Sequence, residues 1–427
     1  MHDDSLAKLP GSAARPWPAG RTGRAGWYGA VLVACAIAIS YLDRQTLPWA
    51  LKNIQADIPI TNQIKAALDS AFLVTYGLSY LAGGWLLDRL GTRRGFVVIM
   101  VFWSLACASH GLAGGVLALA ASRLLLGAGE GGGFPAATRA ITEWFKPEDR
   151  AAAMGIVNAG TAVGAVIAPP LIALVLMHAH GFGLASWRYV FFLTGLLGLL
   201  WSAWWIVGAP PIATAVPRAV SAARVAIPRA LLWIACAKFL TDAAWYFYLF
   251  WLPKYLFDVR HFDLAQAASI GWIPYAASGV GCLVGGTLSS HLQRRGKTIN
   301  YARKVALGAS AAMMPWVMLV PAAPEIWQVM VLFSLAFFGQ QSWSTLIMTL
   351  PTDIAPVAVL GRAAGIVGLA GAFGGVAMGQ AAGWMLDHGF TYTPVLVIAA
   401  SLHVIAFVLI CIAVPRITPY SALETGR

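Results

Sequence analysis

A chain of 427 residues that is 59% hydrophobic and only 11% charged carries far less charge than a soluble domain, where about 25% is usual. The surplus apolar surface must face lipid, which excludes an ordinary soluble enzyme or binding module. The formal charge of +12 invites nucleic acid as a partner, but the bases sit in short segments between apolar stretches, where membrane topology accounts for them.

A spanning helix needs about 20 apolar residues, and twelve stretches qualify: 27–51, 68–88, 95–116, 118–143, 151–177, 187–209, 230–254, 266–290, 303–321, 326–349, 362–386 and 393–415. Barrel strands are about 9–11 residues long and alternate in polarity, so these are helices. The expected fold is an all-α membrane protein with twelve transmembrane helices in two six-helix bundles. An even count puts both termini on one side. Twenty lysines and arginines fall on that side and five on the other, so the positive-inside rule predicts cytoplasmic termini.

In chain order, the tail 1–26 lacks an apolar signal region and a cleavage site, so helix 1 is expected to act as its own insertion signal. Helix 1 ends its apolar part on Tyr41-Leu42-Asp43-Arg44-Gln45-Thr46. Helix 2 carries Tyr76 and closes on Gly84-x-x-x-Asp88-Arg89-x-Gly91-x-Arg93-Arg94. Helix 4 holds Arg123, the run Gly127-Ala-Gly-Glu130-Gly-Gly-Gly-Phe134-Pro135, and Arg139. Helix 5 follows Pro147-Glu-Asp-Arg150 and bears Asn158 and Thr161. His178 and His180 read as a solvated loop, and no metal site is predicted.

Segment 210–229, with four prolines and three arginines, is the expected cytoplasmic linker between bundles 27–209 and 230–415, and 416–427 is a cytoplasmic tail. Helix 7 contains Lys238-Phe-Leu-Thr-Asp242-Ala-Ala-Trp245-Tyr246-Phe-Tyr248 and runs to Pro253-Lys254-Tyr255. Helix 8 ends in GGTLSSHLQRRGK, an echo of GGWLLDRLGTRRG at the end of helix 2. Helix 10 carries Gln340, Gln341 and Trp343, and helix 11 is rich in glycine. Cys35, Cys107, Cys236, Cys282 and Cys411 fall inside helices at unrelated spacings and read as packing residues.

The Gly84–Arg94 motif resembles the loop 2–3 signature of the major facilitator superfamily. The helix 1, helix 4 and helix 7 strings are similar to its anion:cation symporter family, within it to hexuronate-transporter-like members. The resemblance covers residues 27–415. It implies that Gly84, Asp88, Arg89, Gly91, Arg93 and Arg94 form a cytoplasmic latch, that the helix 1 acid (Asp43) and the helix 4 glutamate (Glu130) carry protons, and that Arg44 and Tyr76 serve the substrate. Helix 11 departs from the pattern: Gly371, Ala372 and Gly374 stand where some members use an asparagine.

The residues support the same chemistry independently. A charge in hydrocarbon costs at least about 2.5–3.5 kcal/mol, so it needs a function or a partner. Counted along the helices, Asp43, Arg44 and Tyr76 are expected about 10–12 Å from the external end and Glu130 deeper, at about 18 Å. Desolvation favours protonation of buried carboxyls, while arginine stays charged and grips a carboxylate with two prongs. If Asp43 and Glu130 must be protonated before Arg44 is free, proton and anion binding are coupled.

Structural salt bridges are the competing reading. Arg123 lies two turns from Glu130, so their pairing would need a bend. Lys238 and Asp242 are four apart and bridge within one helix, and Arg139 is expected to snorkel to the interface. Tyr41, Tyr76, Asn158, Thr161, Trp245, Tyr246, Tyr248, Gln340, Gln341 and Trp343 are the candidate contacts for a polyhydroxylated acid. The predicted function is proton-coupled import of a hexuronate or related aldonate by a monomeric carrier without cofactors in a bacterial inner membrane. Its partners are an organic anion, protons and the bilayer. A drug/proton antiporter of the same fold is the alternative. An enzyme or ATP-driven pump is disfavoured, because no nucleophile elbow or GxxxxGK[ST] loop occurs.

Overall fold

The computed structural model describes residues 23–146, 149–210, 228–354 and 360–417. Most of the linker 210–229, most of both tails, and Pro147, Glu148 and Pro356 lie outside the described residues. The first half consists of α1 (Arg24–Asp57), α2 (Asn62–His110), α3 (Val116–Glu130), α4 (Gly133–Trp144), α5 (Arg150–His178) and α6 (Ser186–Gly208). The second half consists of α7 (Arg229–Asp258), α8 (Leu264–Ile270), α9 (Ile273–Arg294), α10 (Ile299–Ala311) continued by a 3-10 turn (Met314–Ala322), α11 (Ile326–Ile354), α12 (Leu360–Asp387) and α13 (Tyr392–Ala413).

Nine helices among the described residues are long and apolar enough to cross a membrane. The three remaining apolar stretches are those bearing Lys65 with Asp69, Arg123 with Glu130, and Gln340 with Gln341. The one with Arg123 and Glu130 is divided between two shorter helices, α3 of 15 residues and α4 of 12.

Three boundaries differ from expectation. The Thr61 hydroxyl caps α2 by accepting from the Ile64 amide, so this helix starts six residues before the apolar run, takes in Lys65 and moves Asp69 from the helix end into its second turn. The loop after helix 2 is instead a sharp break inside α2 at Gly91, whose φ of 73° suits glycine, which has no Cβ to clash. Helix 4 is broken between α3 and α4 at Gly131–Gly132, where a Cβ on Gly131 would meet Ser79 and the Tyr76 carbonyl of α2.

In the first half α1 packs on α5 and α2 on α3 and α6; in the second, α7 packs on α12 and α13, and α9 on α11. Backbones come very close at Gly164, where any Cβ would run into the Ala38 carbonyl oxygen of α1. The halves meet along α2–α12, α1–α7 and α5 with α8 and α9.

The halves are fastened at the end far from the described termini. There the Asp387 carboxylate of α12 accepts from the Asn62 amide (3.1 Å), Asn62 Nδ2 (2.8 Å) and the Gln63 amide (2.8 Å) at the start of α2. Gln380 bridges Gln63 (3.1 Å) and Ser70 (2.8 Å). Deeper, Tyr275 Oη donates to Gln45 at 3.1 Å. At the end near the termini, the charged contacts among the described residues stay within one half: Arg139 with Asp88 and Glu143 in the first, and Arg303 with Asp353 in the second.

Candidate functional site

Arg44 Nε meets Glu130 Oε2 at 2.7 Å in the interior of the first half, with both side chains almost fully buried. Ser40 Oγ donates to the same oxygen at 2.6 Å. Glycine makes this approach possible: a Cβ on Gly127, one turn before Glu130, would strike the Phe72 carbonyl and Thr75 of α2. The guanidinium stands over the rings of Tyr76 (4.5 Å), Tyr41 (4.7 Å) and Phe72 (5.5 Å). Among the described residues Arg44 donates only from Nε, which leaves the terminal amino groups for an anion.

This contact corrects the expected depths. Because α1 runs on to Asp57 and α2 begins at Asn62, Arg44, Glu130 and Tyr76 all stand about 20 Å from the fastened ends of their helices. They form one level, and Glu130 is not below it.

Asp43 is turned away from Arg44. It is fully buried, its neighbours include Cys107 and Thr194, and its carboxyl oxygens accept no well-formed hydrogen bond among the described residues. The Arg44 partner is Glu130, and the adjacent Asp43 is a separate buried acid. Arg123 does not reach Glu130; its Nε and Nη2 are buried without hydrogen-bond partners among the described residues, and its charged neighbours include Asp69.

A second acid–base pair escaped the sequence reading, which had placed Lys65 in an external segment. Lys65 Nζ meets Asp69 Oδ2 at 2.6 Å in the interior and sits 4.2 Å over the Trp251 ring of α7. The available signals were the Thr61 cap and the four-residue spacing on α2.

In the second half Lys238 Nζ meets Asp242 Oδ1 at 2.7 Å and Ser344 Oγ at 3.3 Å. A Cβ on Gly371 of α12 would collide with Asp242 Oδ2; the residue that breaks the helix 11 pattern is therefore what lets this acid fit. Gln340 Oε1 is bonded by His403 Nε2, a buried histidine the sequence reading had passed over, while Gln340 Nε2 makes no well-formed hydrogen bond among the described residues and has Asp242 as a neighbour. Trp343 lies edge-on to His403.

The expected substrate contacts are only partly assembled. Tyr41 and Tyr76 flank Arg44. Tyr248 is fully buried between Phe333 and Phe337, and Trp245 packs on Phe337; both belong to the core of the second half. Asn158 and Thr161 are half-buried on α5, linked by a Thr161 hydroxyl to Asn158 carbonyl bond. The Gln341 carbonyl accepts from Thr345.

The Gly84–Arg94 motif lies at the end near the termini. Asp88 meets Arg139 Nη1 at 2.7 Å, and Arg139 Nε meets Glu143 at 3.1 Å. Arg139 is thus held in a charged network, where snorkelling had been expected. Thr92 donates to Glu143 (2.7 Å) and Arg93 to the Ile206 carbonyl (2.8 Å). Arg89 lies over Trp85, while Gly84 and Arg94 are exposed.

The profile of the Major Facilitator Superfamily matches residues 33–379. The D-galactonate transporter of Escherichia coli O6:H1 (strain CFT073) is 27% identical over 426 residues, covering 93% of this chain and 96% of that protein. The hexuronate transporter of Escherichia coli (strain K12) is 27% identical, covering 80% and 83%. The probable sulfoacetate transporter SauU of Cupriavidus necator is 31% identical, covering 77% and 79%. Among solved structures, a bacterial homologue of the human lysosomal transporter Spinster, inward-facing and occupied, superposes with a TM-score of 0.69 at 18% identity, covering 91% of this chain and 95% of that one.

Proposed function

This chain belongs to the Major Facilitator Superfamily, as a multi-pass membrane transporter and not an enzyme, and from that premise we propose that it imports a sugar-acid anion together with protons. The observation that carries the coupling is the Arg44–Glu130 ion pair at 2.7 Å. A substrate carboxylate and Glu130 compete for one guanidinium, so protonation of Glu130 frees Arg44 for the anion. Asp43, buried a short distance away, is the second proton carrier. Tyr41 and Tyr76 line the guanidinium and orient the sugar.

The positive-inside bias supports cytoplasmic termini and twelve crossings in two six-helix bundles joined by the linker 210–229. On that orientation the fastened end is external and this conformation opens inward. Movement of one bundle against the other about the Arg44 level then alternates access, and a single chain contains the complete site. The molecular setting is a bacterial inner membrane, and the likeness to transporters named for hexuronate and D-galactonate supports the substrate class.

The test is uptake of labelled glucuronate or galactonate by proteoliposomes. An inward proton gradient should drive accumulation, and a protonophore should abolish it. Accumulation driven by a sodium gradient at fixed pH, with none from a proton gradient, would overturn the coupling.

A further inference from the structure

The proposed function leaves the ion pair on α7 of the second half, Lys238–Asp242, without a role. As a fastening it achieves little. The ion pair itself joins α7 to itself four residues on, and its well-formed bond to another helix is the long contact from Lys238 to Ser344 of α11 at 3.3 Å. A buried pair is often no more stabilising than apolar residues of the same volume, and membrane burial raises its cost.

Its placement is informative. Counted back from the fastened ends of α1 and α7, at Asp57 and Asp258, Asp242 stands level with Tyr41, about one helical turn of 5 Å nearer the open end than Arg44. Tyr41 lies within electrostatic reach of Arg44, Glu130 and Asp242, and Tyr246 within reach of Arg44, Tyr76 and Asp242. Helices α1 and α7 pack on each other. The two ion pairs, one from each half, therefore flank the same tyrosines, separated along the axis by roughly the reach of a six-carbon acid.

We propose that Lys238 and Asp242 form a second subsite that binds the hydroxyls at the far end of the sugar acid and, being net neutral, selects a monoanion over a dicarboxylate. This rests on the sugar-acid reading above. Asp242 accepts from a substrate hydroxyl while Lys238 donates to one, both as charge-assisted bonds. A site built to hold hydroxyls rejects analogues that lack them, because its buried polar groups are then left unpaired. A second carboxylate arriving here finds no uncompensated positive charge to offset its desolvation, because Asp242 already neutralises Lys238.

The experiment measures binding of glucuronate, glucarate and glycolate to the purified full chain by calorimetry, in wild type, Asp242→Asn and the double variant Lys238→Met/Asp242→Leu. Wild type should prefer glucuronate to glucarate. Asp242→Asn leaves Lys238 uncompensated and should move that ratio about tenfold toward glucarate, the size expected of one unit charge at this range. The double variant, which buries no charge and keeps the fold if Asp242→Asn does not, should bind glycolate like wild type but lose about tenfold for glucuronate. Unchanged ratios in the folded variants would overturn the subsite while leaving the transporter reading intact. A wild type that binds none of the three acids would instead overturn the sugar-acid reading.

Discussion

Aligned on the proline that each carries, Pro48 in α1 and Pro253 in α7, the two halves place Tyr246 opposite Tyr41 but Tyr248 and Leu249 opposite Asp43 and Arg44. Glu130 of α3 and Gln340 of α11 stand equally far into their helices. Where the first half has an acid gripping an arginine, the second has an amide held by His403. The repeat thus preserves the scaffold and diverges in charge. Around the Arg44 level, the cross-helix ion pair that can be opened by a proton belongs to the first half, whereas the second half contributes the intrahelical pair Lys238–Asp242 and amides. Coupling and recognition can therefore be separated by mutation.

The largest effect is expected at Arg44. Arg44→Lys keeps the charge but loses the planar fork, so transport should fall at least about a hundredfold, the loss of two well-oriented charge-assisted bonds. Uptake by a variant of matched expression and monodispersity measures it, and wild-type transport would move the anion site elsewhere. Glu130→Gln should keep binding and counterflow while losing proton-driven accumulation, because the amide holds the shape of a protonated acid. Normal concentrative uptake by this variant would assign Glu130 to structure. The matching change in the other half, Gln340→Ala, should weaken binding about three- to tenfold, the range for one hydrogen bond, and leave the proton dependence intact. Loss of coupling there would erase the distinction between the halves.

A smaller effect is expected at the fastened end. Asp387 of the second half stabilises the start of α2 by accepting three hydrogen bonds there, where a carboxylate also meets the favourable end of the helix dipole. Asp387→Ala should shift the population toward the outward-open form by about three- to tenfold. Labelling of a cysteine placed at Ser70 from the external side measures the shift, and unchanged labelling would show that Asp387 does not bear on the closure.

Much of this was legible in the sequence. Helix existence and the presence of Arg44, Glu130 and Tyr76 in the interior follow from apolar runs and from the rare polar residues within them. Two things were not. Hydropathy ended helix 1 and began helix 2 at the last apolar residues, although Thr61 caps α2 earlier, so Lys65 was left outside the membrane, Asp69 stood at a helix end, and Glu130 seemed deeper than its partner. Which way a side chain turns was also hidden: Asp43 and Arg44 are neighbours in sequence, yet successive residues point about 100° apart around a helix, and only Arg44 faces Glu130. Gly371 read as a missing asparagine until Asp242 was seen to occupy the space.

The smallest effect is expected for Arg139→Lys, at the open end of the first half. Arg139 reaches Asp88 through Nη1 and Glu143 through Nε, two directions that a lysine with one terminal nitrogen cannot serve together. The acids differ in need. The Asp88 side chain is 77% exposed and hydrated, whereas that of Glu143 is 3% exposed and otherwise held by Thr92. The lysine should therefore stay with Glu143 and release Asp88. An exposed ion pair contributes little, about 0.2–1 kcal/mol, so the transport rate should change at most about fivefold. The KM should not move, because no bond of Arg139 touches the Arg44 level. A rate lost as completely as in Arg44→Lys, with a raised KM, would put the substrate path through this cluster and extend the chemistry of the first half to its open end.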